Sequence, residues 1–388
     1  MSEWSTSPLH EVLEFREGPG IMASEFRDSG TPLIRLAGLK SGASLLARCN
    51  YIDDELVARR YPHFRLERGD VLLSTSASLG EVATVKDEGA GAIAYTGIIA
   101  FRPKGELIDA RFIEWILRSP GLKDQIESMG VGSVMKHFGP SHLRSMHVTY
   151  PDKPSQRAIA EVLGALDDKI TANRNAVGQF DQLVAFLFKR ASEAGPHITL
   201  SSLASFVNGG AYTKGASGSG RVVVRIAELN GGIGGSTVFS DAKVPDDQTA
   251  RFGDLLFAWS GSLTIHRWYR DDAIINQHIF KVLPKDENPR WLVHQALLAA
   301  LPSLKAIAAD KATTMGHIKR EHLDTLVQVP DPQATTYIGP LLQGAWDLAL
   351  ATEQESLRLI ALRDALLPAL MSGKLRVKDA ERAVEDVL

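Results

Sequence analysis

Two sets of basic, imidazole and hydroxyl-bearing side chains recur in corresponding places in the two halves of this 388-residue chain. In the first half Arg35, Lys40, Arg59, Arg60 and His63 precede a Gly69-Asp70 step, and Lys136, His137, Arg144 and His147 follow it. In the second half Tyr212, Lys214, Arg221 and Arg225 come early, His266, Arg267, Trp268 and Arg270 are central, and Lys311, His317, Lys319 and Arg320 come late. Arg and Lys neutralise phosphate or donate to guanine edges, while His, Ser, Thr, Asn and Gln position or discriminate. Any one of these residues is more often ordinary surface than a base reader. The signal is their repetition: Lys136-His137 corresponds to His317-Ile318-Lys319, and Gly209-Gly210-Ala211-Tyr212 to the loop at Gly18-Pro19-Gly20.

Catalysis has less to stand on. Gly130-Val131-Gly132-Ser133 precedes Lys136 but lacks the Gly-Lys-Ser/Thr end of a phosphate loop, and no strand-Gly-x-Gly-x-x-Gly-helix unit is available for a dinucleotide or S-adenosylmethionine. Neither an Asn/Asp-Pro-Pro-Tyr/Phe methyltransferase pattern nor a Pro-Asp…Asp/Glu-x-Lys nuclease cluster is found. The histidines never fall as His-x-x-x-His with a partnering Glu, Cys49 stands alone, and Ser260-Gly261-Ser262 is an incomplete nucleophile elbow. Gly69-Asp70 and Gly253-Asp254 occupy equivalent strand entrances, so they read as two tight turns rather than one carboxylate pair. The expectation is a chain with no catalytic, metal or cofactor residues of its own.

The elements that position these groups come from a duplication. Arg68-Gly69-Asp70-Val71-Leu72-Leu73-Ser74 returns as Phe252-Gly253-Asp254-Leu255-Leu256-Phe257-Ala258, about 180 residues later. Leu33-Ile34-Arg35-Leu36-Ala37-Gly38-Leu39 returns as Val223-Val224-Arg225-Ile226-Ala227-Glu228-Leu229. His142-Leu143 with Tyr150-Pro151-Asp152 returns as His322-Leu323 with Val329-Pro330-Asp331. In the first half, apolar runs at 32–39, 70–74, 80–85 and 93–101 predict short strands, and 109–117 and 122–128 predict helices. In the second, strands are expected at 222–229, 253–258 and 274–283, with a helix over 291–309.

Each half ends in a long helical pattern. After Asp152 and Pro154, Ile159, Leu163, Leu166, Ile170, Asn173, Val177, Phe180, Val184 and Leu187 alternate intervals of four and three, a coiled-coil seam with one polar position. The second seam is Ile338, Leu341, Ala345, Leu348, Thr352, Glu355, Leu359, Leu362 and Leu366, with Pro340 marking a late start or a bend. Matching lengths and polar centres predict that the two helices pair antiparallel, with Asn173 and Thr352 penalising slipped register. A helix of this kind spans roughly 50 Å. The expected fold is mixed α/β (α+β): two globular domains joined by two long antiparallel coiled-coil helices with pseudo-two-fold symmetry. Its expected bounds are 1–152, 153–193, 194–333 and 334–388.

Composition fits such a chain. Hydrophobic residues make up 44% and charged residues 23%, enough for two cores, and Cys49 can form no internal disulfide. The net charge of -3 counts mildly against a stand-alone nucleic-acid binder and leaves an acidic face for protein partners. The opening Met-Ser-Glu-Trp-Ser-Thr has no basic segment followed by an apolar run, and His294, Gln295 and Lys305 interrupt the most apolar stretch. A cytoplasmic protein with no membrane span is expected.

These duplicated features resemble the specificity (S) subunit of type I restriction-modification enzymes. The resemblance rests on Gly69-Asp70-Val71-Leu72-Leu73-Ser74-Thr75-Ser76 and Gly253-Asp254-Leu255-Leu256-Phe257-Ala258-Trp259-Ser260-Gly261. It rests also on Val148-Thr149-Tyr150-Pro151 and Val327-Gln328-Val329-Pro330, each leading into a long helix, and on the polar Asn276-Gln277-His278. The first half departs from that last motif with Tyr95-Thr96-Gly97. The resemblance implies two target-recognition domains, each reading one half of a bipartite double-stranded DNA target, with the helices as a ruler over an unread spacer. It implies two modification subunits that use S-adenosylmethionine to methylate adenine, and two motor-nuclease subunits that use ATP and magnesium. A two-headed protein adaptor, or an orphan or antirestriction specificity-like subunit, would share the same outline.

Overall fold

The computed structural model describes residues 4–40, 44–76, 79–128, 138–310, 316–385 and 387. The chain divides into two compact units, residues 1–171 with 358–388 and residues 172–357.

In the first unit, strands Leu13–Glu17, Ile98–Pro103, Val71–Ser74 and Val82–Thr84 form an antiparallel sheet in that order. A second sheet is built around the parallel pair Thr31–Ile34 and Ile93–Ala94, extended by Asn50–Ile52 and Phe26–Arg27. A two-stranded ribbon, Ser5–Pro8 with His147–Tyr150, closes the unit. Alternate residues of the first sheet, Val71, Leu73, Ile99 and Phe101, enter one core with Phe112, Trp115, Ile116 and Phe138, while Leu72 and Ile98 face a second core with Ile34, Leu39 and Val85. Burying both faces explains the continuous apolar run that follows Asp70.

The second unit repeats the plan. Ala204–Asn208, Ile279–Pro284, Leu255–Ala258 and Thr264–Arg267 form the antiparallel sheet, Arg221–Val224 pairs in parallel with Ala273–Ile275, and His197–Thr199 with Leu326–Gln328 forms the ribbon. The second sheets differ at their edges: here Thr249–Ala250 and Val238–Ser240 flank the parallel pair. The helix Arg290–Asp310 is long and apolar enough to cross a membrane by composition alone. Trp291, Val293, Ala296, Leu297, Ala300 and Leu304 instead bury one side of it in the core of the unit.

The structure redraws several expected strands. The runs at 93–101 and 274–283 are each two strands in different sheets, broken at 95–97 and 276–278. The runs at 32–39 and 222–229 each end as a strand followed by a short helix, Leu36–Leu39 and Ile226–Gly231. The breaks fall at Tyr95-Thr96-Gly97 and Asn276-Gln277-His278, short polar steps within otherwise apolar runs.

Both long patterns are single helices, Lys153–Ser192 and Pro332–Met371. Asp152 caps the first by accepting from Ser155 N at 2.9 Å, and Asp331 caps the second by accepting from Ala334 N at 2.8 Å. The second helix therefore begins before Pro340 rather than at it. In the first unit Ile159, Leu163, Leu166 and Ile170 share a core with Leu359, Leu366, Leu367 and Leu370. In the second, Val184 and Phe188 share one with Leu342, Trp346 and Leu350. The helices run antiparallel, with Asp167 paired to Arg363 and Asn173 to Glu355.

Two parts of the expected seam are corrected. Leu341 and Leu348 are 58% and 50% exposed, while Leu342, Trp346, Ala349 and Leu350 are buried. The reason is that this stretch packs into the globular core as well as against the other long helix: the Trp346 ring lies edge-on to His294 at 5.2 Å, which turns the buried face toward the helix Arg290–Asp310. The polar partner of Asn173 is Glu355, whose carboxylate accepts from the Asn173 amide at 2.9 Å; Thr352 is only half-buried. Val177, Phe180, Leu187, Ile338 and Leu362 are half-buried.

Candidate nucleic-acid interface

Each antiparallel sheet begins at a glycine that a side chain would disfavour. Gly69 and Gly253 have φ of 93° and 83°, and the aspartate that follows is buried beneath the turn. Asp70 accepts from Glu67 N and pairs with Arg102 at 2.7 Å; Asp254 accepts from Arg251 N and pairs with Lys281 at 2.8 Å. The cation comes from the neighbouring strand in both units. Each carboxylate is thus consumed in holding a strand entrance.

At the other end of this sheet the chain turns from Leu255–Ala258 through Trp259-Ser260-Gly261 and meets two more loops. Trp259 N donates to His278 O at 3.2 Å, Ile318 N to Trp259 O at 3.1 Å, and Ser260 bridges to His317. Gly210 bridges to Asn276, which brings the Tyr212 loop alongside. The first unit makes the same junction: Thr75 N donates to Gly97 O at 2.8 Å and Phe138 N to Thr75 O at 3.2 Å. Gly18 N and Gly209 N donate to Ile98 O and Ile279 O at 2.9 and 3.0 Å. A methyl group at Gly18 or Gly209 would lie 2.0 or 2.2 Å from the Ala94 or Ile275 carbonyl oxygen, so only glycine lets these loops approach.

The proposed DNA-contacting residues divide by environment. Lys40, Arg59, Arg60, His63 and Arg144 are exposed in the first unit, and Lys214, His317, Lys319 and Arg320 in the second. Arg60 and Lys319 carry exposed ion pairs to Glu25 and Glu321, contacts that water and salt weaken. Arg35 is half-buried, its guanidinium 4.2 Å from the Tyr95 ring centroid and bonded to Asn50. Arg221 donates to Ala242 O, Arg270 lies over the Tyr269 ring, and the Tyr212 hydroxyl donates to Gln248. Lys136, His137 and Lys311 lie outside the described residues.

Two arginines are corrected. Arg267 is 7% exposed and donates to Asp181 and Glu353 on the two long helices, at 2.6 and 2.7 Å. Buried arginine must be paired, and this one ties a sheet strand to both helices rather than facing a ligand. Arg225 forks onto Glu228 at 2.6 and 3.0 Å and onto Ser236 O, so its donors are largely spent inside the unit. That pairing holds the Glu228 carboxyl below the usual carboxylate range, against the upward push of burial.

Trp259, Ser260, Gln277 and His278, which meet at the junction of the second unit, were not among the candidate DNA contacts read from the sequence. The available signal was Asn276-Gln277-His278, a polar triplet inside an apolar run. Among the described residues, no group of three or more His, Cys, Asp or Glu side chains is placed to hold a metal ion.

Residues 1–177 match the model of the type I restriction modification DNA specificity domain. A curated relative, the type I restriction enzyme MjaVIII specificity subunit of Methanocaldococcus jannaschii, is 23% identical over 184 residues. Over its first 177 residues the chain is similar to that domain. The alignment with the curated relative takes in 46% of this chain and 43% of the relative, so the chain spans less than half the length of the curated protein it matches. The fold is similar throughout to the crystal structure of the type I restriction-modification system S subunit from M. genitalium, with a TM-score of 0.58 and 14% identity, over 95% of this chain and 96% of that one. The second unit lies almost wholly beyond the match over residues 1–177 and repeats the sheet plan of the first.

Proposed function

We propose that this chain is the DNA-recognition subunit of a type I restriction-modification complex and is not itself catalytic. Each unit reads one half of a bipartite double-stranded target, and the paired helices set the spacing. The observation that carries this reading is a duplicated backbone junction dressed with different side chains: Trp259, Ser260 and His278 in one unit, Thr75, Ser76 and Gly97 in the other. A common frame with different polar groups suits two half-sites of different sequence. Exposed cations around each unit supply phosphate contacts, which position a protein on DNA without selecting sequence.

The partners are two modification subunits, which hold S-adenosylmethionine and methylate adenine, and two motor-nuclease subunits, which use ATP and magnesium. The complex works in the cytoplasm, and this chain directs the chemistry of its partners. Single-molecule methylation mapping in a host carrying the modification partner, with and without this chain, tests the assignment. A bipartite methylated motif that disappears when this chain is omitted is the expected result. An assembled, active complex that yields no such motif would favour the adaptor or orphan reading.

A further inference from the structure

Resting on the DNA-recognition reading, we infer that the Gln277-His278 turn together with His317 contacts base edges in the half-site of the second unit. The turn is built rather than merely exposed. His278 Nδ1 lies 3.1 Å from Ser260 Oγ, its ring lies 5.6 Å from the Trp259 ring, and Gln277 Nε2 lies 3.2 Å from His278 Nε2. An amide nitrogen only donates, so His278 Nε2 accepts and Nδ1–H donates to Ser260. Gln277 is thereby oriented while exposed, with its amide oxygen and second N–H uncommitted to that contact. An exposed glutamine amide that keeps one acceptor and one donor for a ligand matches the N6/N7 edge of adenine in the major groove.

The surroundings agree. His317 is exposed, stands edge-on to Trp259 at 6.5 Å and pairs with Ser260 in an isolated β-bridge. Exposed Lys319 and Arg320 follow it after the buried Ile318, and Lys214 lies two residues after Tyr212 in the loop bridged to Asn276. An imidazole and amide centre with flanking cations is the arrangement expected when bases are read between phosphate contacts. The Trp259 indole nitrogen and the Asn276 amide oxygen are buried there without a partner among the described residues. The first unit has small groups on the same frame: a methyl at Gly97 would lie 2.4 Å from Ser76 Oγ. The two heads therefore present different chemistry from one backbone.

The test is methylation mapping with the full complex carrying Gln277→Ala, His317→Ala, or Lys319→Ala. Gln277 and His317 are exposed, so their truncation leaves the cores untouched. Either change should relax discrimination at one or two positions of a single half-site, by roughly 5- to 100-fold per position. The other half-site and the spacer should be unchanged, and Lys319→Ala should weaken methylation evenly across the motif. An unchanged motif in both Gln277→Ala and His317→Ala, or an even loss over both half-sites, would overturn the inference. Failure of the unmodified chain to produce a bipartite motif would instead remove the DNA-recognition reading beneath it.

Discussion

Arg267 Nη1 donates to Asp181 Oδ1 at 2.6 Å, joining an edge strand of the antiparallel sheet of the second unit to the first long helix, and Glu353 closes the contact from the second helix. Burial pushes the Glu353 carboxyl upward while Arg267 opposes it. In the first unit Asp167 plays the joining part, accepting from Arg118 and Arg363. Both units are tied to both helices through ionic contacts rather than apolar packing alone.

Removing Arg267 strands two carboxylates. Arg267→Met should destabilise the second unit by about 3 kcal/mol, measured by denaturant unfolding of the full chain. Arg267→Lys should recover only part of this, because one ammonium cannot fork onto two carboxylates. A change below about 0.5 kcal/mol in Arg267→Met would show that the network is not a structural joint.

Gly18→Ala and Gly209→Ala place a methyl group against a backbone carbonyl in equivalent loops. Each should cost about 1–3 kcal/mol through overpacking, seen as a lower unfolding midpoint. Gly121→Ala, where a methyl group meets nothing within 4 Å, is the control and should be near neutral.

His294 is buried against Trp346, and burial followed by the nearby Arg267 charge lowers its pKa to about 4. The unfolded chain binds this proton near pH 6.5, whereas the folded chain binds it only near 4. The contribution of neutral His294 is therefore complete above about pH 6.5 and declines as pH falls toward 4, by up to about 3 kcal/mol. His294→Phe should flatten the stability profile across that window. A parallel profile for variant and parent would refute the assignment.

The Asn173–Glu355 contact marks where length can be added to the helices. Inserting one helical turn beside each residue should lengthen the unread spacer and leave both half-sites intact. Replacing residues 10–150 with those of a related chain should alter one half-site alone. Methylation mapping reads both, and a change in both half-sites after the replacement would refute independent reading.

Much of this was legible in the sequence. The Gly-Asp steps, the matched Arg35 and Arg225 runs and the two Asp-capped helices announced the duplication, because each depends on local backbone chemistry or helical period. What escaped was the side to which a residue turns. Leu341 and Leu348 fit a heptad as well as Leu342 does, and only the helix carrying Trp291 and His294 decides which face is covered. Arg267 looks like any cation until Asp181 and Glu353 arrive from segments 86 residues away on either side.

The sequence alone determined the two units, their shared order of elements and the helices that follow each of them, since turn residues, caps and apolar periodicity act over a few residues. The tertiary structure decided which cations are spent on internal carboxylates and which stay in water. It also split the runs at 93–101 and 274–283 between sheets and brought Trp259, His278 and His317 to one junction. Those outcomes depend on contacts between segments far apart in the chain, where burial and pairing outweigh any local preference.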